Sequence, residues 1–218
     1  MLHRRTHWLK PPGPLAPGLK IGLLGGSFNP AHDGHLHISD VALKRLGLDY
    51  VWWLVAPQNP LKPTSGMAPL RERLAFAADK FEQHPRIVVV DIETALGTRY
   101  TIDTLTALKS RFSAVHFVWL MGTDNLAGFR RWKRWAEIAA RVPIAVVMRP
   151  GSTLAPLHAK AVQRYACARR DRASLQHLAL TKPPCLVVLD GPRSAASATA
   201  IRAASGQQEA LVGAIPTW

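Results

Sequence analysis

Acidic residues are scarce in this chain: 14 Asp plus Glu stand against 28 Lys plus Arg, a formal net charge of +14 over 218 residues. Such an excess steers polyanions toward a surface or marks nucleic-acid binding, and by itself it does not choose between them. Cysteine is scarcer still. Cys167 and Cys185 have no metal-type spacing, so a zinc framework is excluded and free thiols in a reducing compartment are expected. No apolar run approaches the ~20 residues that cross a bilayer, and the charged N-terminus lacks the apolar stretch of a secretory signal. A G-x-x-x-x-G-K-[S/T] loop is missing, as is any Ser–His or Cys–His arrangement. Internal repeats and low-complexity tracts are also missing. What remains, 48% hydrophobic and 19% charged, is the composition of an ordinary soluble globule of one domain, with the cytoplasm as expected compartment.

The most informative stretch follows the apolar run Ile21 to Leu24: Gly25-Gly26-Ser27-Phe28-Asn29-Pro30-Ala31-His32-Asp33-Gly34-His35. After it, Leu36, Ile38, Val41, Ala42, Leu43 and Leu46 recur at helical spacing, and Gly47 stands where a helix C-cap would. The order is strand, glycine-rich turn, helix N-terminus. Such a terminus presents unpaired N–H groups and a partial positive charge, which suits a phosphate. Gly26 lets backbone approach an anion, and Gly34 starts the helix without a side chain in the way. His32 and His35, three apart, project to one side of the first turn, where His35 is expected near solvent. Two other readings exist: the histidines as simple caps, or His32, Asp33, His35 and His37 as a metal cluster. The second is weakened because His35 and His37 face different sides of a helix.

Along the chain, residues 1–19 are basic and then proline-rich, and read as a poorly ordered tail ahead of a domain spanning 20–218. Strands are expected at Lys20–Leu24, Tyr50–Val55, Arg86–Asp91, Val115–Met121, Ile144–Met148 and Leu186–Leu189. Helices are expected from Pro69 to Phe81, after Thr101 as N-cap, through Trp132, Trp135 and Ile138, from Pro156 to Arg169, and briefly near Ser197–Arg202. Strands alternating with helices imply an α/β, Rossmann-like, mainly parallel sheet with helices on both faces. Ligands of such sheets bind at the carboxyl ends of the strands. The first motif, the Pro57–Lys62 loop, Gly122–Asp124 and Arg149 all follow strands and should converge there.

These residues carry a resemblance. GGSFNPAHDGH resembles the signature G-G-x-F-x-P-x-[H/T]-x-G-H of the nucleotidyltransferases that move adenylyl or cytidylyl groups from a nucleoside triphosphate, with Asn29 where many relatives have Asp. Ser197-Ala198-Thr199-Ala200-Ile201-Arg202 resembles the second signature, I-S-x-T-x-[I/V]-R, with Ala196 in place of Ile. Gly122-Thr123-Asp124 with Trp132 and Trp135, Arg99-Tyr100-Thr101, and Arg149-Pro150-Gly151 resemble segments of bacterial nicotinate-nucleotide adenylyltransferases.

The resemblance implies adenylyl transfer from ATP to nicotinate mononucleotide, with Mg²⁺ carried by the ATP phosphates and water. It assigns His32, His35 and Arg202 to the reacting phosphates. Gly26, Ser27, Phe28, Gly34, Gly122, Asp124, Ser197, Thr199 and Ile201 are implied for ATP, and Lys62, Tyr100, Thr101, Trp132 and Arg149 for the mononucleotide. Of the two tryptophans, Trp132 is the expected stacking platform and Trp135 the expected core residue. The alternatives are pantetheine-phosphate adenylyltransferase, which shares both signatures, and a basic nucleic-acid-binding protein. Scattered aromatics and the lack of an RNA-binding signature disfavour nucleic acid as partner. A monomer or homodimer without membrane contact is expected.

Overall fold

The computed structural model describes residues 13–58, 66–81, 84–148, 160–165 and 175–189. Six strands form one sheet: β1 (Lys20–Gly26), β2 (Tyr50–Val55), β3 (Ile87–Val90), β4 (His116–Gly122), β5 (Ile144–Val147) and β6 (Leu186–Leu189). Their spatial order is β3-β2-β1-β4-β5-β6, and all five pairings are parallel. A parallel sheet needs helical crossovers, so both of its faces are covered and its strands read as continuous apolar runs. The side-chain period of two then sorts each run. In β2, Val51, Trp53 and Val55 enter one core while Trp52 and Leu54 enter the other. In β4, Val118 and Leu120 take the first side, and Phe117, Trp119 and Met121 the second.

The first face carries α1 (Asp33–Arg45), α2 (Leu70–Phe81) and a 3₁₀ turn at Leu178–Leu180. The second carries α3 (Ile92–Leu96), α4 (Thr101–Arg111), α5 (Thr123–Gly128), a 3₁₀ turn at Phe129–Arg131 and α6 (Trp135–Arg141). A short α7 (Lys160–Tyr165) precedes β6. Strand order reverses between β1 and β4, the place where doubly wound sheets open a crevice. Glycine in β1 serves that centre: a Cβ on Gly25 would stand 2.6 Å from the Trp119 ring.

Several expectations change. The helix expected through Trp132 to Ile138 is broken, because Arg134 adopts φ +54° just before α6. Thr101 is not an N-cap: Tyr100 takes that place, and its carbonyl accepts from the N–H groups of Asp103 and Thr104. The tail expected to stand apart lies on the domain from residue 13 onward. There Leu15 and Leu19 pack on the second core, and the Gly18 N–H donates to the Ala114 carbonyl at 2.8 Å. Cys185 is disulfide-bonded, not a free thiol, and Cys167 lies outside the described residues. No helix among the described residues is long and apolar enough to cross a membrane.

Candidate active site

The first motif leaves the carboxyl end of β1 and turns through Ser27 and Phe28 into α1. Phe28 takes φ +46°, a left-handed conformation unusual for a side chain of this size. Packing holds it there: its ring stacks on Trp53 at 5.1 Å and leans on His35 at 4.5 Å. The Trp53 indole N–H donates to the Ser39 hydroxyl at 2.8 Å, and that hydroxyl donates to the His35 carbonyl at 2.9 Å. Thus β2, the motif loop and α1 are one packed unit.

The two histidines form a reciprocal cap at the start of α1. His32 Nδ1 accepts from the Gly34 N–H at 3.1 Å, and His35 Nδ1 accepts from the His32 N–H at 3.2 Å. A neutral imidazole has one acceptor and one donor nitrogen. With both Nδ1 atoms accepting, the hydrogen of each neutral ring belongs on Nε2. The rings stack with centroids 3.9 Å apart, and His32 is only 2% exposed. His35 is half-buried between His32 and Phe28, which corrects its expected place near solvent. Both histidines therefore cap the helix, each through its Nδ1.

At the neighbouring strand end, Gly122 closes β4 and is the N-cap of α5. The register pairing Leu24 with Leu120 sets Gly26 level with Gly122. Asp124 is exposed in the first turn of α5. Two buried hydroxyls, Ser27 Oγ and Thr123 Oγ1, have no hydrogen-bond partner. They sit one residue beyond these adjacent strand ends, where a ligand would supply acceptors or donors.

The other candidates gather where α4 begins. Its first N–H groups, at Thr101 and Ile102, have no partner within the helix. Lys133 Nζ lies 4.0 Å from the Tyr100 ring centroid, and Arg134 pairs with Asp103 at 3.7 Å. Trp132 meets Trp119 and Phe129 edge-on, at 5.9 and 5.4 Å. Trp132 and Trp135 are equally half-buried, so burial does not divide them as the sequence reading did. Among the described residues, then, the structure brings Gly26, Ser27, Phe28, His32, Gly34 and His35 together at one strand end. Tyr100 and Thr101 open α4 beside Lys133, the residue that follows Trp132, while Trp132 itself packs on Trp119 and Phe129. Lys62, Arg149, Ser197, Thr199, Ile201 and Arg202 lie outside the described residues.

Sequence reasoning missed three supports. Asn29 bridges the motif to the start of α2, donating to the Gly66 carbonyl at 2.9 Å and accepting from the Ala68 N–H at 3.2 Å. A carboxylate there would accept but not donate. Arg73, in the first turn of α2, is buried and grips backbone carbonyls beneath the motif. Glu93 is buried under the α4 start and accepts from the Thr104 hydroxyl at 3.3 Å, with the Thr98 hydroxyl 2.8 Å from Thr104. Burial pushes its carboxyl up to about 7, against the opposing pull of that hydroxyl. Only the polar identity of these three residues hinted at these roles.

Metal-binding clusters of three or more His, Cys, Asp or Glu are absent among the described residues. The alternative reading of His32, Asp33, His35 and His37 as a metal cluster meets a competing use of the ligands, since both Nδ1 atoms of the first motif are engaged by backbone.

Comparison with known proteins agrees with this geometry. The cytidylyltransferase-like family profile matches residues 23–204. A probable nicotinate-nucleotide adenylyltransferase of Parvibaculum lavamentivorans is 55% identical over 192 residues, covering 88% of this chain and 95% of that protein. One from Methylorubrum extorquens is 52% identical, covering 84% of this chain and 99% of that protein, and one from Rhizobium meliloti is 48% identical over 85% and 98%. Among solved structures, Plasmodium falciparum nicotinic acid mononucleotide adenylyltransferase complexed with NaAD superposes with a TM-score of 0.62. Its identity is 16%, it covers 85% of this chain and 83% of its own, and it establishes likeness of fold. The chain belongs to the nicotinate-nucleotide adenylyltransferase family, within the cytidylyltransferase-like nucleotidyltransferases.

Proposed function

We propose that this protein transfers the adenylyl group of ATP to nicotinate mononucleotide, giving nicotinate adenine dinucleotide and pyrophosphate. The observation that carries the reading is the reciprocal histidine cap at a helix N-terminus beside the sheet's switch point, which engages both Nδ1 atoms with backbone and leaves Nε2 as the hydrogen-bearing nitrogen of each neutral ring. The mononucleotide phosphate is already ionised at neutral pH, so its oxygen attacks the ATP α-phosphorus without a general base. The bond to the bridging oxygen breaks, and pyrophosphate leaves with that electron pair. Catalysis is then positioning plus neutralisation of developing charge.

In this reading His32 and His35 donate to the α- and β-phosphates, and the backbone at Gly26, Ser27 and Phe28 lines the nucleotide. Gly34 leaves room for it, and Gly122 and Asp124 approach the ATP ribose. Ser197, Thr199 and Arg202 hold the β- and γ-phosphates, and Ile201 is assigned to the same ATP-binding segment; their match to the second signature supports this. Lys62 is assigned to the mononucleotide phosphate, Arg149 to mononucleotide binding, and Tyr100, Thr101 and Trp132 to its ring. Mg²⁺ is read as a passenger of the phosphates and water, because the two signatures contain no carboxylate pair to cage it. When bound it shares the charge of the pyrophosphate. The cytoplasm, where ATP is abundant, is the proposed location, and residues 20–218 the proposed catalytic domain.

The test is direct. Purified protein with ATP, Mg²⁺ and nicotinate mononucleotide should release pyrophosphate and dinucleotide in equal amounts. Release with phosphopantetheine in place of the mononucleotide would replace this reading by its nearest alternative.

A further inference from the structure

Arg73 is the least expected charge in the molecule. It is 3% exposed, and each partner it has is a backbone carbonyl. Its Nε donates to Ala68 at 2.9 Å, Nη1 donates to Ser27 and to Ala56 at 2.9 Å, and Nη2 donates to Pro57 at 3.0 Å. Among the described residues no carboxylate pairs with it. Burial pulls its guanidinium below the ordinary arginine range, though an arginine stays charged in any case. One cation thus ties the exit of β1, the exit of β2 and the start of α2 together.

The Ser27 contact has a consequence for the neighbouring peptide. A trans peptide is planar, with its C=O and N–H pointing in opposite directions. With the Ser27 carbonyl held by Arg73, the Phe28 N–H faces away from Arg73, and it has no acceptor among the described residues. The Ser27 hydroxyl beside it is likewise buried and unpartnered. Ring packing on Trp53 and His35 supports this conformation, but the Phe28 backbone itself does not favour it. At φ +46° it sits in a region costly for an L-residue, and half a turn of the peptide plane would return it to extended backbone. That flip would turn a carbonyl, not an N–H, toward the phosphates.

We infer that Arg73 is a positioning residue for adenylyl transfer, holding the Ser27–Phe28 peptide so that the Phe28 N–H serves as a phosphate donor. This rests on reading the first motif as the nucleotide site. Arg73 touches no substrate; it acts through the peptide it fixes, and its buried charge adds positive potential under the anion.

Arg73→Lys keeps the charge but lacks the planar fork that spans these carbonyls. In the folded variant, kcat should fall at least ~30-fold while both KM values stay within ~3-fold, the pattern of a lost transition-state donor. A merely structural role would lower Tm and leave turnover per folded molecule unchanged, and kcat within ~3-fold of wild type overturns the inference. A second measurement needs no variant. In wild-type protein labelled with ¹⁵N-phenylalanine, the Phe28 amide proton should move downfield on adding ATP with Mg²⁺. An unmoved Phe28 amide under saturating ATP overturns the inference as well. Saturable ATP binding without dinucleotide formation would instead count against the proposed reaction, leaving the amide shift to decide the role of Arg73.

Discussion

The two halves of the candidate site are built in different ways. The first-motif half is buried and over-determined: stacked rings of His32, His35, Phe28 and Trp53, a reciprocal cap, and Arg73 gripping the backbone below. The α4 half is shallow. It rests on a five-residue helix, half-exposed Tyr100 and Trp132, and surface cations such as Lys133 and Arg134. Reacting phosphates need donors fixed before charge develops, because reorganisation during the reaction wastes their effect. A ring with one distinguishing substituent needs only a shaped surface and one or two polar groups. On the proposed reading, rigid construction accompanies the chemistry, and lighter construction accompanies the choice of substrate.

The sharpest break in this contrast is His32→Ala. It removes a proposed phosphate donor and the acceptor for the Gly34 N–H together. We expect kcat to fall at least ~10²-fold and stability to fall by about 1 kcal/mol, the ordinary loss of an N-cap. Stopped assays and thermal melts on one preparation would separate the two effects.

Next in size is the preference between acid and amide mononucleotides. A carboxylate only accepts hydrogen bonds, whereas an amide also donates. The N–H groups at the start of α4 should therefore favour the acid, since an amide NH₂ aimed at donors loses a bond worth ~1–3 kcal/mol. We expect kcat/KM for nicotinate mononucleotide to exceed that for the nicotinamide form by more than ~10-fold. Lys133→Ala should shrink the ratio only slightly, because an exposed charge is screened by salt. Equal use of both substrates would remove the selecting role from the α4 half.

Glu93 gives a test by pH. Its carboxyl is held at about 7 when folded, above the ordinary value of 4.5, so the native state binds the extra proton between those values. The stabilisation is complete below the unfolded value and is lost as pH rises through about 7. The melting temperature of wild type should fall relative to that of Glu93→Gln between pH 5 and 8, by an amount corresponding to ~2–3 kcal/mol. Parallel curves for the two proteins would show that the carboxyl does not titrate there. The smallest effects belong to the N-terminus. Removing residues 2–12 should leave Tm and turnover unchanged, while extending the deletion through Gly18 loses Leu15 packing and the Ala114 bond. That should lower Tm by a few degrees and leave kcat intact.

The same contrast explains what the sequence made legible. Strands buried on both faces are unbroken apolar runs, so β2 and β6 were readable to the residue, and β1 only two short at its glycine end. The first motif was readable because its glycines, proline and histidines each have a local reason to stand where they do. The supports were not. Arg73 in an amphipathic helix looks like a solvent-facing charge, and nothing nearby in sequence says that its acceptors are carbonyls of Ser27, Ala56 and Pro57. Helix α3 has too few residues to show a period. Thr101 resembles a cap by residue type, but Tyr100 is the last residue with extended backbone, at φ −117° and ψ 139°. His35 reads as a surface residue at a helix start until Phe28 and Trp53 are folded against it.

His35→Ala assayed with both mononucleotides tests the division of labour most directly. Its ring is one of the two proposed donors and lies in the buried half, stacked on His32. If phosphate chemistry and substrate choice are separate, kcat should fall at least ~10²-fold with either substrate while the acid-to-amide ratio of kcat/KM stays within ~2-fold of wild type. Near wild-type turnover in the folded variant, or a ratio that collapses toward one, would contradict the account.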